Sequence, residues 1–224
     1  MLCYDFAMLT QEKNQAIAKL GSGDLEAIYA LECSAFPESM QASYQTLATR
    51  FELGHFMLGA WEQNRLMGLV SWRHAWFDPE DRSIFPETFT EFSGPPNSSP
   101  HNAAFVYSLG IHPEKRGTEI TRALMMSAID HIKSSHCKYL VGDGRCPSYN
   151  GSSADDIAPS KVFRRAIDRQ LQTGEAPSLA EYTADPYLRF YHRTLDCQFL
   201  WTMPDFLPSD DASGGHQVIF YMLM

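Results

Sequence analysis

No apolar run in the chain approaches the ~20 residues that a helix needs to cross a bilayer, so no membrane partner is expected. Positive charge is scarce as well: 18 Lys and Arg stand against 27 Asp and Glu, for a formal net charge of -9. Binding nucleic acid depends on clustered basic residues that neutralise phosphates, so this balance argues against such a partner. The first residues lack both a basic stretch and a sustained apolar core, which excludes a secretory leader and makes a cytoplasmic location the expectation. Cys3, Cys33, Cys137, Cys146 and Cys197 are odd in number and contain no Cys-x-x-Cys pair, an argument against a disulfide scaffold or a zinc site. His74, His101, His112, His131, His136 and His216 have no metal-ligand spacing, and no metal is assigned. Repeats and low-complexity segments are absent. What remains is a chain of 224 residues with the composition of one globular domain spanning residues 1–224.

The organising stretch is residues 105–128. Phe105, Tyr107, Leu109 and Ile111 alternate with Val106, Ser108 and Gly110, the period-two pattern of a strand. A basic turn follows, from His112 through Arg116 and Gly117. The period then changes, because Ile120, Leu124, Ala128 and Ile132 recur every fourth residue on one stripe of an amphipathic helix. A helix start after a glycine-containing basic loop suits phosphate, since its first amides have no internal acceptor and the dipole adds positive charge there.

These residues resemble motif A of the GNAT family of N-acetyltransferases. The likeness runs through Leu109, Gly110, Ile111, Pro113, Arg116 and Gly117 and on to Ile120, Ala123 and Leu124. It implies a single α/β domain with a mixed, mostly antiparallel sheet flanked by helices and a donor cleft between the fourth and fifth strands. It also implies that the main chain of Ser108, Leu109, Gly110 and Ile111 holds the pantetheine and thioester. Arg116, Gly117, Thr118, Glu119, Ile120 and Thr121 would then wrap the pyrophosphate of an acyl-CoA co-substrate. No tightly bound cofactor is implied. Glu119 and Thr121 stand where the family has glycines. At about 6 Å and an effective dielectric of about 20, the Glu119 carboxylate would repel a phosphate by about 3 kcal/mol. The single phosphodiester of a phosphopantetheine on an acyl-carrier protein would suffer less.

Elsewhere, a first strand is expected near residues 4–9, helices over 22–36 and 43–53, and a hairpin over 55–61 and 66–72. Residues 73–102 contain Pro79, Pro86, Pro95, Pro96 and Pro100 and read as an insertion, either a cover over the acceptor side or a disordered surface excursion. A fifth strand over 138–141 precedes a second insertion, 150–182. That insertion carries a helix over 159–171 whose Arg164, Arg165 and Arg169 read as a solvated face. A helix over 185–195 and strands near 198–203 and 216–222 close the chain.

Phe190 and Tyr191 occupy the place of the family's Phe-Tyr motif, which makes Tyr191 the candidate acid for the departing thiolate. A phenol of pKa near 10 is protonated at neutral pH. Asp143 and Arg145, just past the fifth strand, are placed to touch acceptor or pantetheine. The C-terminal third is similar to a GNAT subgroup that includes the loading domains of polyketide synthases, through Asp185, Pro186, Leu188, Phe190, His192, Pro204, Phe206, Pro208, Asp210, Ser213, Gly215 and Tyr221. That likeness implies a basic role for His192, with decarboxylation and transfer to a carrier protein. It requires Tyr191 to be an inserted residue, places Gly144 where the subgroup has threonine, and places Leu207 where it has arginine. Three readings follow: direct acyl transfer to a small-molecule amine, S-acyl transfer or decarboxylation with an acyl-carrier protein, and a GNAT-fold binding module without turnover.

Overall fold

A computed structural model describes residues 15–95, 100–150 and 158–224. The strand expected near residues 4–9 lies outside them. Seven strands form one mixed sheet in the order β1-β2-β3-β4-β5-β7-β6. They are β1 (Gln15–Lys19), β2 (Phe56–Glu62), β3 (Arg65–Ala75), β4 (Ala103–Ile111), β5 (Tyr139–Arg145), β6 (Gln198–Met203) and β7 (Gln217–Leu223). All neighbours are antiparallel except β4 and β5. That exception follows from the chain path: helix α4 (Glu119–Ser134) carries the chain back along the sheet, and such a crossover makes the flanking strands parallel.

Alternation along the central strands sends apolar side chains to both faces, as a doubly covered sheet requires. On one face Leu124, Met125 and Ile129 of α4 pack with Leu58, Val70 and Val106. On the other, Ile28 and Leu31 of α1 (Leu25–Ala35) and Leu47 of α2 (Tyr44–Glu52) pack on Met57 and Leu69. Helix α1 stops at Ala35, ahead of Pro37, and Ser43 caps the start of α2, its side chain accepting from the Thr46 amide. No described helix is long and apolar enough to cross a membrane.

The first insertion differs from both sequence expectations in part. Arg73, His74 and Ala75 continue β3. Beyond them Phe77, Phe85 and Phe92 are buried against Phe105, and the short helix α3 (Phe89–Phe92) lies over β4, so the segment through residue 95 is core and not a loose excursion. Arg73 holds it. Only 2% exposed, it donates from Nε to the Phe92 carbonyl at 2.6 Å and from Nη2 to the Glu91 carbonyl at 3.1 Å, with its guanidinium over the Phe105 ring. Asn102 closes the base by accepting from the Phe77 amide at 2.8 Å and donating to the Phe77 carbonyl at 2.9 Å. Asn102→Ala removes both bonds at once and is expected to cost about 2 kcal/mol in urea unfolding. A change under about 0.5 kcal/mol would show that water replaces the side chain at no cost.

The second insertion is also tied down. Helix α5 (Ala158–Thr173) buries Phe163, Ala166 and Ile167, while Arg169 reaches Glu181 at 3.1 Å and Arg164 donates to the Tyr149 carbonyl. Those two arginines are fasteners, where a solvated face was expected. The four-residue helix α6 (Leu179–Tyr182) then leads to α7 (Pro186–Leu195). Asp185 caps α7 through the amides of Tyr187 and Leu188, with Pro186 at the first turn.

Candidate active site

Pairing between β4 and β5 runs from Ala103 with Tyr139 to Val106 with Gly142 and then ends. Beyond that point β4 stays with β3 and β5 stays with β7, so the strands fork. The cavity at the fork has a volume of about 540 Å³. Ser108 and Leu109 line it from β4, Asp143 and Arg145 from β5, and Tyr191 from α7. Its outer wall comes from the connection between α1 and α2 and from Phe89, Thr90 and Ser93 of the first insertion. Ser39 Oγ donates to the Ser209 carbonyl at 3.1 Å, joining that connection to the chain after β6.

Glycines in β5 let α7 come close. A Cβ on Gly144 would lie 2.7 Å from Leu188 Cδ2 and 3.2 Å from the Val218 carbonyl, and one on Gly142 would meet the Phe220 ring at 2.3 Å. This closeness seats Tyr191 on Phe220, ring centroids 4.7 Å apart and near parallel. Burial is the main cause that raises the Tyr191 phenol above its ordinary pKa, and Asp143 adds to it, so the group is a neutral donor throughout the physiological range. Asp143 itself is lifted well above the carboxylate range, by burial first and then by Asp210, against the pull of its own backbone amide. Arg145 is held by a fork of two bonds to Asp210, Nε to Oδ2 at 2.8 Å and Nη2 to Oδ1 at 2.6 Å.

His192 lies one residue on and is turned elsewhere. Its Nδ1 is 3.1 Å from the Cys197 carbonyl, its ring faces Phe199, and it does not line the cavity. The two residues are not brought together at the cavity. Adjacent helical positions diverge by about 100°, so only one of them faces a given site.

The loop from β4 to α4 lies beyond the cavity wall. Gly110 is overlain by Phe36, whose ring would be 3.0 Å from an added Cβ. Gly117 takes φ +73, the left-handed turn for which glycine is suited. Arg116 donates to the Ala35 carbonyl at 2.7 Å and Lys115 pairs with Glu62, so both cations have partners within the chain. Thr118 precedes α4 but gives its hydroxyl to the Lys115 carbonyl and does not cap the helix. The start of α4 is thus open, with Glu119 exposed on its first turn, Ile120 buried in the core and Thr121 half-buried.

Three polar residues at the cavity escaped the sequence reading. Glu32 of α1, Arg50 of α2 and Tyr107 of β4 all line it and all are buried. The Tyr107 hydroxyl pairs with His55 Nδ1 at 2.9 Å; burial, with Arg50 and Arg73 nearby, drops His55 to about 4 and keeps it neutral. Burial also pushes Tyr107 up to about 12. On an amphipathic helix an acid and a base read as solvent-facing, and here they lie behind an outer wall that the α1–α2 connection and the insertion supply together.

One group with metal-ligand atoms does come together at the other end of the sheet, where His74, His101 and Cys137 offer ligand atoms within 4.8 Å of one another. The two imidazoles stack at 4.2 Å with only 15° between their planes. Ring lone pairs lie in the ring plane, so stacked rings aim them side by side and not at one point. The group carries no assignment.

A sequence profile of the Acetyltransferase (GNAT) family matches residues 25–147, more than half of the chain. No curated protein matches by sequence. Among solved structures, the GphF GNAT-like decarboxylase in complex with isobutyryl-CoA is similar at TM-score 0.72 and 18% identity, covering 93% of this chain and 98% of that one. The loading GNATL domain of CurA from Lyngbya majuscula is similar at TM-score 0.69 and 16% identity, covering 93% and 97%. PaiA N-acetyltransferase from Thermoplasma acidophilum, in complex with coenzyme A, is similar at TM-score 0.51 and 14% identity, covering 94% and 99%. At these identities the likeness speaks to the fold. With the forked β4 and β5, the strand-loop-helix motif and the profile match in agreement, the chain belongs to the acetyltransferase (GNAT) family.

Proposed function

We propose that the protein transfers an acyl group directly from a thioester to an amine acceptor held in the forked cavity. The observation that carries this reading is the convergence of Tyr191 and Asp143 on one cavity beside the free edge of β4. The acceptor amine attacks the thioester carbon, the carbon-sulfur bond breaks, and Tyr191 gives its proton to the departing sulfur. Asp143, whose carboxyl burial lifts well above its ordinary range, hydrogen-bonds and orients the acceptor, and the proton that the amine loses leaves to water. Main-chain groups of Ser108, Leu109, Gly110 and Ile111 would hold the thioester and its developing oxyanion, worth several kcal/mol in such reactions. Release of free thiol from acetyl-CoA, followed over a panel of amines, tests the reading. Amine-independent release would replace it by thioester cleavage with another acceptor, and no release with any acyl-CoA or acyl-carrier thioester would leave the binding module.

The phosphates of the donor would lie on the open start of α4, on residues Arg116 to Thr121. Exposure of Glu119 softens the repulsion expected from sequence, because water around it raises the effective dielectric to about 40 and reduces the cost to about 1.4 kcal/mol. Lys115 is paired with Glu62, whereas Arg116, bonded to the neutral Ala35 carbonyl, keeps its charge and attracts the phosphates whether or not Glu119 is present. Glu119→Gly is therefore expected to tighten CoA binding about tenfold in calorimetry. Micromolar or tighter binding that this substitution leaves unaltered would remove the case for a carrier-bound donor over free acyl-CoA.

A second reading, decarboxylation or S-acyl transfer with an acyl-carrier protein, is favoured by the overall likeness to GphF and the CurA loading domain. The residues that would carry it do not assemble here. Gly144 has no room for the subgroup's threonine beneath Leu188, Leu207 replaces its arginine on the cavity wall, and His192 faces Cys197.

A further inference from the structure

Thioester chemistry at Tyr191 and Asp143 leaves one branch of the cavity unexplained. A second hollow of about 290 Å³ lies between α2 and the first insertion, and it shares Ser43, Thr46, Arg50, Thr90 and Ser93 with the main cavity. Neither Tyr191 nor Asp143 reaches it. Arg50 stands at the junction, 7% exposed, with its guanidinium 4.8 Å from the centroid of the Tyr107 ring. Among the described residues its side chain makes no hydrogen bond and no ion pair. A guanidinium carries five N–H donors and keeps its charge in any protein, and with no acceptor from the described residues these donors are offered to the hollow that Arg50 lines.

The charged groups around it do not fill that need. Glu32 lies close enough to feel Arg50 but is not paired with it: Oε1 accepts from the Ala42 amide at 2.8 Å, and Oε2 is buried without a partner. Tyr107 offers its ring face, its hydroxyl being taken by His55. Arg73, also close enough to act on His55, is committed to the insertion. Ser43, Thr46, Thr49, Thr90 and Ser93 bring hydroxyls to the branch, beside Gln45, Leu53 and Gly94. One planar cation with hydroxyls beside it and a single acid nearby matches a planar monoanion. A phosphate dianion would meet the same acid with only one cation to hold it.

We infer that Arg50 anchors a carboxylate of the molecule that occupies the cavity, so that the protein selects a substrate with a negative charge on the branch away from Tyr191. The inference rests on the proposed function in taking the cavity for the substrate chamber. The carboxylate has two sources, the far end of the acyl group on the donor or the acceptor itself, and two arms of one experiment separate them. In the first, calorimetry compares succinyl-CoA with butyryl-CoA, which match in chain length and differ in the terminal charge. In the second, with acetyl-CoA present, leucine is compared with leucinamide.

In one arm the carboxylate form is expected to bind at least tenfold more tightly than its neutral partner. That preference should fall within twofold in Arg50→Gln and be partly kept in Arg50→Lys, with thermal midpoints reporting that both variants fold. Should Arg50→Gln fail to fold, the preference of the wild type and its change in Arg50→Lys decide the matter. Equal binding of charged and neutral partners in both arms, or a preference that survives Arg50→Gln, overturns the anchor. Binding of butyryl-CoA by itself reports on the proposed function, so a thioester that binds without charge preference sinks the anchor alone.

Discussion

Tyr191→Phe is expected to lower turnover by roughly tenfold to a thousandfold while donor binding stays nearly unchanged. The substitution removes one hydroxyl and keeps the ring that stacks on Phe220, so the wall of the cavity holds its shape. What is lost is the proton for the departing sulfur, an interaction that matters only as charge develops in the transition state. Because burial and Asp143 hold the phenol above its ordinary pKa of 10, the wild-type rate should show no loss from this group as pH rises toward 10. Single-turnover kinetics, where chemistry limits the rate, give the decisive measurement. Turnover equal to wild type under those conditions would make Tyr191 a packing residue, and the acid would have to be water.

The largest stability effect is expected at Asp210. Its side chain is 1% exposed, takes both bonds of the Arg145 fork, and accepts from Gln217 Nε2 at 3.0 Å. Asp210→Ala leaves the Arg145 guanidinium, three-quarters buried, without its counter-ion and the Gln217 amide without its acceptor. Removing one partner of such a pair costs about 3–5 kcal/mol, far more than the pair adds over an apolar replacement. Urea unfolding should show a lower midpoint at unchanged slope.

The pH dependence has a definite sign. Burial raises Asp210, but Arg145, Ser213 and Gln217 more than offset it and hold its folded pKa below the unfolded value near 3.9. Its contribution is therefore present above about pH 4 and is lost as pH falls through the folded value. The gap between wild type and Asp210→Ala should narrow in that acid range. A gap within about 1 kcal/mol at pH 7, or one that is constant into acid, would mean that the fork adds little.

By itself the sequence determined the frame of the molecule. Period two through residues 105–111 and period four from Ile120 onward fixed β4 and α4, because backbone geometry alone sets which residues share a face. Pro37 fixed the end of α1, the apolar runs around residues 62–65 fixed the β2–β3 hairpin, and Asp185 with Pro186 fixed the start of α7. Strand β1 escaped, since Gln15–Lys19 lies on the edge of the sheet and is held by its main-chain pairing with β2, which leaves little mark on side-chain pattern. Tertiary structure alone decided the rest. Phe77, Phe85 and Phe92 are separated by turn residues without a period, so only their meeting over Phe105 reveals a core. Asp210 lies 65 residues from Arg145 and becomes its partner because β7 takes its place beside β5. Glu32 and Arg50 sit on helices where charge ordinarily faces water, and they are buried at a cavity walled by the α1–α2 connection and the first insertion together. Periodicity encodes which side of an element is apolar. Which element comes to cover it depends on the order of strands in the sheet, and that order is a property of the assembled chain.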